Sequence, residues 1–186
     1  MTAPDASAFR PRAPNAPAAT ILIRLMVGGV FLAEGLQKFL YPAEVGAGRF
    51  ARIGIPSPGL MGPLVGALET VCGLLVLLGL YTRIAVVPLI AIMVVAFVAT
   101  KLPILLGSDL GPFQVRELPY YGFWGFAHES RTDLSMAMGS LFLLLVGPGR
   151  WSLDAWLSRR RTRGAAGTGD ASQVDTALPG ARRRAD

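Results

Sequence analysis

Cysteine and histidine each occur once in this 186-residue chain, as Cys72 and His128. A single cysteine excludes an intramolecular disulfide and any dithiol chemistry within one chain. A single histidine excludes bis-histidine haem ligation and multi-histidine metal sites. Charge is also scarce: 16% of residues are Asp, Glu, Lys or Arg, against about 25% in ordinary soluble domains. The sequence has no phosphate loop, no dinucleotide fingerprint, no nucleophile elbow and no metal-ligand cluster, so no metal is expected. What fills the chain instead is apolar: 52% of residues are hydrophobic and the mean hydropathy is +0.48. These residues come in runs. That excludes disorder for the middle of the chain and points to lipid as its solvent.

A helix rises about 1.5 Å per residue, so crossing a hydrocarbon core of about 30 Å takes about 20 apolar residues. Four segments meet or approach that length, at about 20–40, 60–80, 83–106 and 130–147. Pro63 falls early in the second, where a missing N–H costs little. Pro88 is a candidate kink in the third. Ser130-Arg131-Thr132-Asp133 resembles a capping box that opens the fourth, and Gly147-Pro148-Gly149 ends it. The fold class expected is all-α, an integral-membrane four-helix bundle over 20–147. The first span has no cleavage pattern after it and reads as an uncleaved helix. Residues 1–19 and 164–186 are rich in small, polar or proline residues and are expected to be disordered.

The formal charge of +6 invites a nucleic-acid reading, which its location argues against. The termini and the turn near residue 82 hold Arg10, Arg12, Arg83, Arg150, Arg159, Arg160, Arg161, Arg163, Arg182, Arg183 and Arg184. Loops 41–59 and 107–130 hold Arg49, Arg52 and Arg116. Basic residues collect on the cytoplasmic side of short loops. Both termini are therefore expected in the cytoplasm, in a multi-pass protein of the plasma (inner) membrane. Residues 148–163 are expected to form a short amphipathic helix that anchors to lipid through Trp151, Trp156, Arg159, Arg160, Arg161 and Arg163. Each basic residue there gains about 1 kcal/mol from anionic lipid.

The polar residues inside the spans carry the functional question. An ionisable group in a membrane span costs about 2.5–3.5 kcal/mol on insertion scales and usually faces the bundle with a partner. Arg24 lies near a span end and is expected to snorkel. Glu34 lies about 9 Å, and Glu69 about 13 Å, from the outer ends of their helices. Lys101, His128, Arg131 and Asp133 fall at similar depth. Glu34 and Lys38 are four apart, on one helix face. Gly62, Gly66, Glu69 and Gly73 form a stripe that permits close helix approach. A network of Glu34, Lys38, Glu69 and Lys101 is expected, closed over by 107–133. It has three readings: structural ion pairs, a ligand or redox-cofactor site, or an ion path. The aromatic-rich outer loop is either an interfacial belt or a lid over a flat ligand. Cys72 reads as a small apolar packing residue.

The order of motifs resembles the DoxX family. Those motifs are Arg24-x3-Gly28, Glu34-Gly35-Leu36-Gln37-Lys38-Phe39, Gly54-Ile55-Pro56-Ser57-Pro58, Gly66-x2-Glu69-x3-Gly73 and Leu77 to Arg83. The ending Gly147-Pro148-Gly149-Arg150-Trp151-Ser152-Leu153-Asp154 completes them, and the resemblance covers about 20–157. It implies a four-helix membrane protein in a quinone-linked oxidoreductase or an oxidative- and thiol-stress complex. Family partners include a sulfurtransferase and a superoxide dismutase. The resemblance brings no agreed catalytic residues.

On the buried charges, Glu34, Glu69, His128 and Asp133 are the candidate catalytic or proton-relay groups. Gln37, Lys38, Lys101, Tyr120, Tyr121, Trp124 and Arg131 are the candidate ligand contacts, and a non-covalent quinone is the candidate cofactor. Electrons would come from a partner or a bound substrate. A non-catalytic scaffold that recruits soluble redox proteins, and a small transporter, are the alternatives. Lipids are expected partners, nucleic acid is not, and self-association stays open.

Overall fold

The computed structural model describes residues 18–160. Among them every regular element is a helix, with one isolated bridge between Leu110 and Phe113. The order is α1 (Thr20–Leu40), α2 (Ala47–Arg52), α3 (Pro58–Leu78), α4 (Thr82–Ala96), a π-helical turn (Phe97–Lys101), α5 (Leu102–Leu106) and α6 (Phe123–Val146). A last helix, α7, occupies 153–160. Three helical segments are long and apolar enough to cross a membrane: Thr20–Leu40, Pro58–Leu78 and Thr82–Leu106. The fourth long helix, α6, has 24 residues and thus spans about 36 Å, but its first half is polar. Segments 41–57 and 107–122 share one end of the bundle, called the loop end below. The 79–81 turn and α7 mark the opposite end.

Helix α1 lies against α3 because glycine faces glycine. A Cβ built on Gly35 would stand 2.5 Å from the Thr70 amide nitrogen and 2.7 Å from the Gly66 carbonyl. On Gly73 it would stand 2.7 Å from the Leu32 nitrogen. The anticipated stripe is therefore an interface, and such small residues let backbones approach where lipid supplies no hydrophobic drive. Val27, Phe31, Val76, Val86, Leu89 and Leu143 fill the core nearer the 79–81 turn. Leu22, Leu60, Val71, Ile84, Val94 and Leu145 stay exposed, as a bilayer-facing surface requires.

Helix α3 starts with Pro58 at its first turn and ends at Gly79, which has φ +67. Gly79 and Leu80 return their N–H groups to Val76 and Leu75, a left-handed glycine cap. The next turn is clasped by Asp154: its Oδ1 accepts from the Tyr81 N–H at 3.1 Å, and its own N–H donates to the Gly79 carbonyl at 3.1 Å. Ser152 caps α7 by accepting the Ala155 N–H at 3.1 Å.

Arg24 does not snorkel. It is 3% exposed, and its guanidinium donates to the carbonyls of Val76 at 3.0 Å, Pro148 at 3.3 Å, Trp151 and Leu77. Two of those carbonyls end α3 and two lie in the 148–151 turn. The guanidinium fork satisfies helix-end acceptors that would otherwise be orphaned.

Three boundaries differ from expectation. Helix α6 begins at Phe123, after Gly122 with φ +77, and not near Ser130. The glycine makes the break, and Ser130 to Asp133 sit inside the helix without capping it. Pro58 rather than Pro63 holds the first-turn position of α3, and Pro63 lies within it. Pro88 stays inside α4, and the irregular turn is Phe97–Lys101, shortly before Pro103. Of the expected tails, 1–17 and 161–186, including Arg161 and Arg163, lie outside the described residues.

Candidate functional site

Two ion pairs form the polar centre, one buried on both sides and one joining a buried lysine to a half-buried aspartate. Helix α1 projects Glu34 and Lys38 from one face, and the Gly35–Gly66 contact brings that face onto α3. Lys38 then reaches Glu69: the ammonium is 2.6 Å from the carboxylate, and both residues are under 10% exposed. Glu34 lies 3.6 Å from the same ammonium, and Lys38 also donates to the Glu34 carbonyl at 3.4 Å. Two carboxylates thus share one lysine.

The second pair belongs to the π turn and α6. The turn directs Lys101 inward, where it is 2.7 Å from Asp133 and donates to the Glu129 carbonyl at 2.8 Å. The Glu129 carboxylate bonds Arg116 of the outer loop at 3.0 Å. Lys101 therefore does not join Lys38 and Glu69 in one network. A widened turn shifts the side chains that follow it, and π turns often occur at functional sites.

Both pairs face one cavity of about 610 Å³ between the helices. Its polar lining includes Glu34, Lys38, Glu69, Lys101 and Asp133, and most of the remainder is apolar. A second cavity of about 510 Å³ lies toward the loop end. Val45, Arg49, Ile53, Thr100, Lys101 and Glu129 line both. The outer cavity is thus a vestibule sharing a wall with the inner one. Ion pairs so placed are expensive, because taking each ion out of water costs several kcal/mol.

The remaining candidates lie elsewhere. Gln37 is exposed on α1, one residue and so about 100° around from Lys38. His128 and Arg131 are exposed and bond each other at 2.8 Å. They share one face of α6, while Glu129 and Asp133, four apart, share the face that meets the cavity. Trp124 is 76% exposed, and Tyr120 and Tyr121 are exposed as well. Tyr121 pins the loop instead: its hydroxyl accepts from the Leu118 N–H at 3.2 Å and donates to the Arg116 carbonyl at 3.3 Å. These six side chains do not line the inner cavity.

Glu129 and Arg49 escaped the sequence reading. The four-residue spacing of Glu129 and Asp133 was a usable signal. Arg49 had none, because α2 is a six-residue helix inside a loop. Its carbonyl accepts from the Ile53 N–H at 3.1 Å, while its guanidinium makes no hydrogen bond or salt bridge among the described residues. At the other end, Trp151 and Trp156 are exposed, Arg160 stacks 3.8 Å over the Trp156 ring, and Arg159 folds back on the Ala155 and Arg150 carbonyls. Cys72 is buried in α3, and no group of metal-ligating side chains occurs among the described residues.

A quinone is a ring with two acceptor oxygens. Two ammonium groups facing an otherwise mostly apolar cavity match that donor requirement, and the volume lies within the range of small-ligand sites.

The DoxX family model matches residues 19–102, a stretch that holds Glu34, Lys38, Glu69 and Lys101 but not α6. The chain is 56% identical over 147 residues to "Uncharacterized membrane protein Rv3486" of Mycobacterium tuberculosis, covering 78% of this chain and 85% of that protein. It is 28% identical over 145 residues to "Putative oxidoreductase CatD" of Bacillus subtilis, covering 78% of this chain and 91% of that one. No solved structure matches it. With a relative of that identity and coverage, and with the family model falling on the helices that carry both lysines, the chain belongs to the DoxX family of membrane proteins.

Proposed function

We propose that this protein is the membrane subunit of a quinone-linked oxidoreductase, and that it binds the quinone ring in the inner cavity. One observation carries the reading: two ion pairs, Lys38–Glu69 and Lys101–Asp133, both with buried lysines, face a single, mostly apolar cavity of about 610 Å³. The oxidoreductase name of the Bacillus subtilis relative agrees with it. On the charge rule the loop end faces away from the cytoplasm.

A quinone bound there supplies a two-electron, two-proton acceptor. The chain's own residues orient it and manage protons. Lys38 and Lys101 donate to the ring oxygens, and Glu69 and Asp133 hold the two ammonium groups in place. Glu34 is the second carboxylate on Lys38 and can carry a proton while Glu69 stays paired. The vestibule, with Arg49, Glu129 and Arg116, gives water a route from the loop end. The two electrons come from a bound reduced substrate or from a redox partner; the family resemblance implies a sulfurtransferase or a superoxide dismutase among the proteins it assembles with.

Binding of a tailless benzoquinone to the protein in lipid nanodiscs tests this. A hydrogen bond to a charged donor is worth about 1.5–3 kcal/mol, so Lys101→Met should weaken binding about 10- to 100-fold. The conservative Lys101→Arg should lose less. Saturable binding unaffected by Lys101→Met, or no binding by the wild type, contradicts the proposal.

A further inference from the structure

The inner cavity has two unlike walls. Charged side chains reach it from α1, from Glu69 on α3, and from the π turn and α6. Another wall is apolar: Val65 and Leu68 of α3, with Pro88, Ala91 and Val95 of α4. The spacing puts each set on one face of its helix. These side chains also reach the outside of the bundle. Val95 is 54% exposed, Ala91 is exposed, and Val65, Leu68 and Pro88 are half-buried. The cavity therefore meets the bilayer-facing surface between α3 and α4. Nearer the 79–81 turn the same two helices are sealed, since Val76, Val86 and Leu89 are fully buried. The opening is a slot, closed at one end and walled by hydrocarbon.

We propose that the ligand is a membrane-borne amphiphile, with its polar ring against the two lysines and its hydrocarbon tail leaving through the α3–α4 slot into the bilayer. The ring assignment rests on the quinone reading above, whereas the exit path rests on the slot alone. A cavity of about 610 Å³ fits a ring-sized ligand, and a polyprenyl or long alkyl chain has to continue beyond it. The slot is the apolar route. Lipid tails are as apolar as the slot, so tail contacts there add little hydrophobic free energy. The tail acts by concentrating the ligand in the bilayer, and the slot acts by giving it passage.

The test uses the full chain in phosphatidylcholine nanodiscs and an alkyl-tailed benzoquinone with a diazirine near the ring end of its tail. After illumination, adducts are mapped by peptide mass spectrometry, and tailless benzoquinone binding is measured alongside. Adducts are expected on α3 around 65–68 and on α4 around 88–95. Ala91→Trp should lower that labelling about tenfold, equivalent to ~1.4 kcal/mol. Val87→Trp, exposed on α4 but off the cavity, should leave it unchanged. Adducts in 107–122 or on the outer face of α6, with tailless binding intact, overturn the slot and leave the ring site standing. No tailless binding by the wild type, with adducts still on 65–68 and 88–95, overturns the ring site and leaves the slot standing; neither tailless binding nor adducts at those positions overturns both.

Discussion

Replacing Lys38 with methionine is expected to destabilise the protein by about 3–5 kcal/mol, because it leaves a buried carboxylate without its counter-ion. Glu69 is 3% exposed and lies at the close α1–α3 contact, where the Gly35 backbone meets Thr70 and Gly66. The paired replacement Lys38→Met with Glu69→Leu should recover most of the loss, since well-packed apolar residues often match or exceed a buried ion pair in stability. Unfolding by dodecyl sulfate titration in mixed micelles reads both variants. The functional consequence runs the other way: both should lose quinone binding. A double variant as stable as the wild type but blind to the ligand would show that the pair is kept for chemistry rather than for packing. A double variant no more stable than Lys38→Met alone would instead mean that the pair is kept for packing.

Arg24→Ala is expected to cost about 3 kcal/mol or more, since buried acceptors left unsatisfied cost about 1–3 kcal/mol each. Its guanidinium holds four carbonyls, from Val76, Leu77, Pro148 and Trp151. The loss should appear locally before it appears globally. Arg24 and Asp154 both tie the 148–160 segment to the bundle, so in Arg24→Ala trypsin should cleave near Arg150 and Arg159 much faster, with α1–α6 still folded. Arg24→Lys should not rescue it. A lysine ammonium has three donors on a single nitrogen and cannot span carbonyls that a planar fork reaches from several sides. Unchanged cleavage in Arg24→Ala would mean that the terminal helix is held without the Arg24 bonds.

The spans were legible because length and apolar content dominate them. The runs near 20–40, 60–80 and 83–106 are too long to be core helices of a domain this size. The glycine stripe was legible for a related reason, as Gly66 and Gly73 share a helix face with Glu69. Finer features depend on information that periodicity does not hold. Ser130-Arg131-Thr132-Asp133 has the form of a cap, yet the chain had already turned helical at Gly122, and a second cap motif within a helix is silent. Lys101 was assigned to the Glu69 network on depth alone. The π turn instead gives it Asp133 and the Glu129 carbonyl, and a widened turn leaves no mark in the spacing of apolar residues. His128 drew attention for its chemistry, but the cavity takes the neighbouring Glu129, because the face of α6 is set by its packing on α4. Arg24 was placed at the right depth with the wrong environment: snorkelling assumes water within reach, and the 148–151 turn fills that space.

The most direct measurement is native mass spectrometry of the protein released from nanodiscs made with quinone-containing membrane lipid. One quinone adduct per chain is expected in the wild type, retained in Val87→Trp and absent from the Lys38→Met/Glu69→Leu variant. A wild-type spectrum without quinone, or equal occupancy in the double variant, would contradict the proposal.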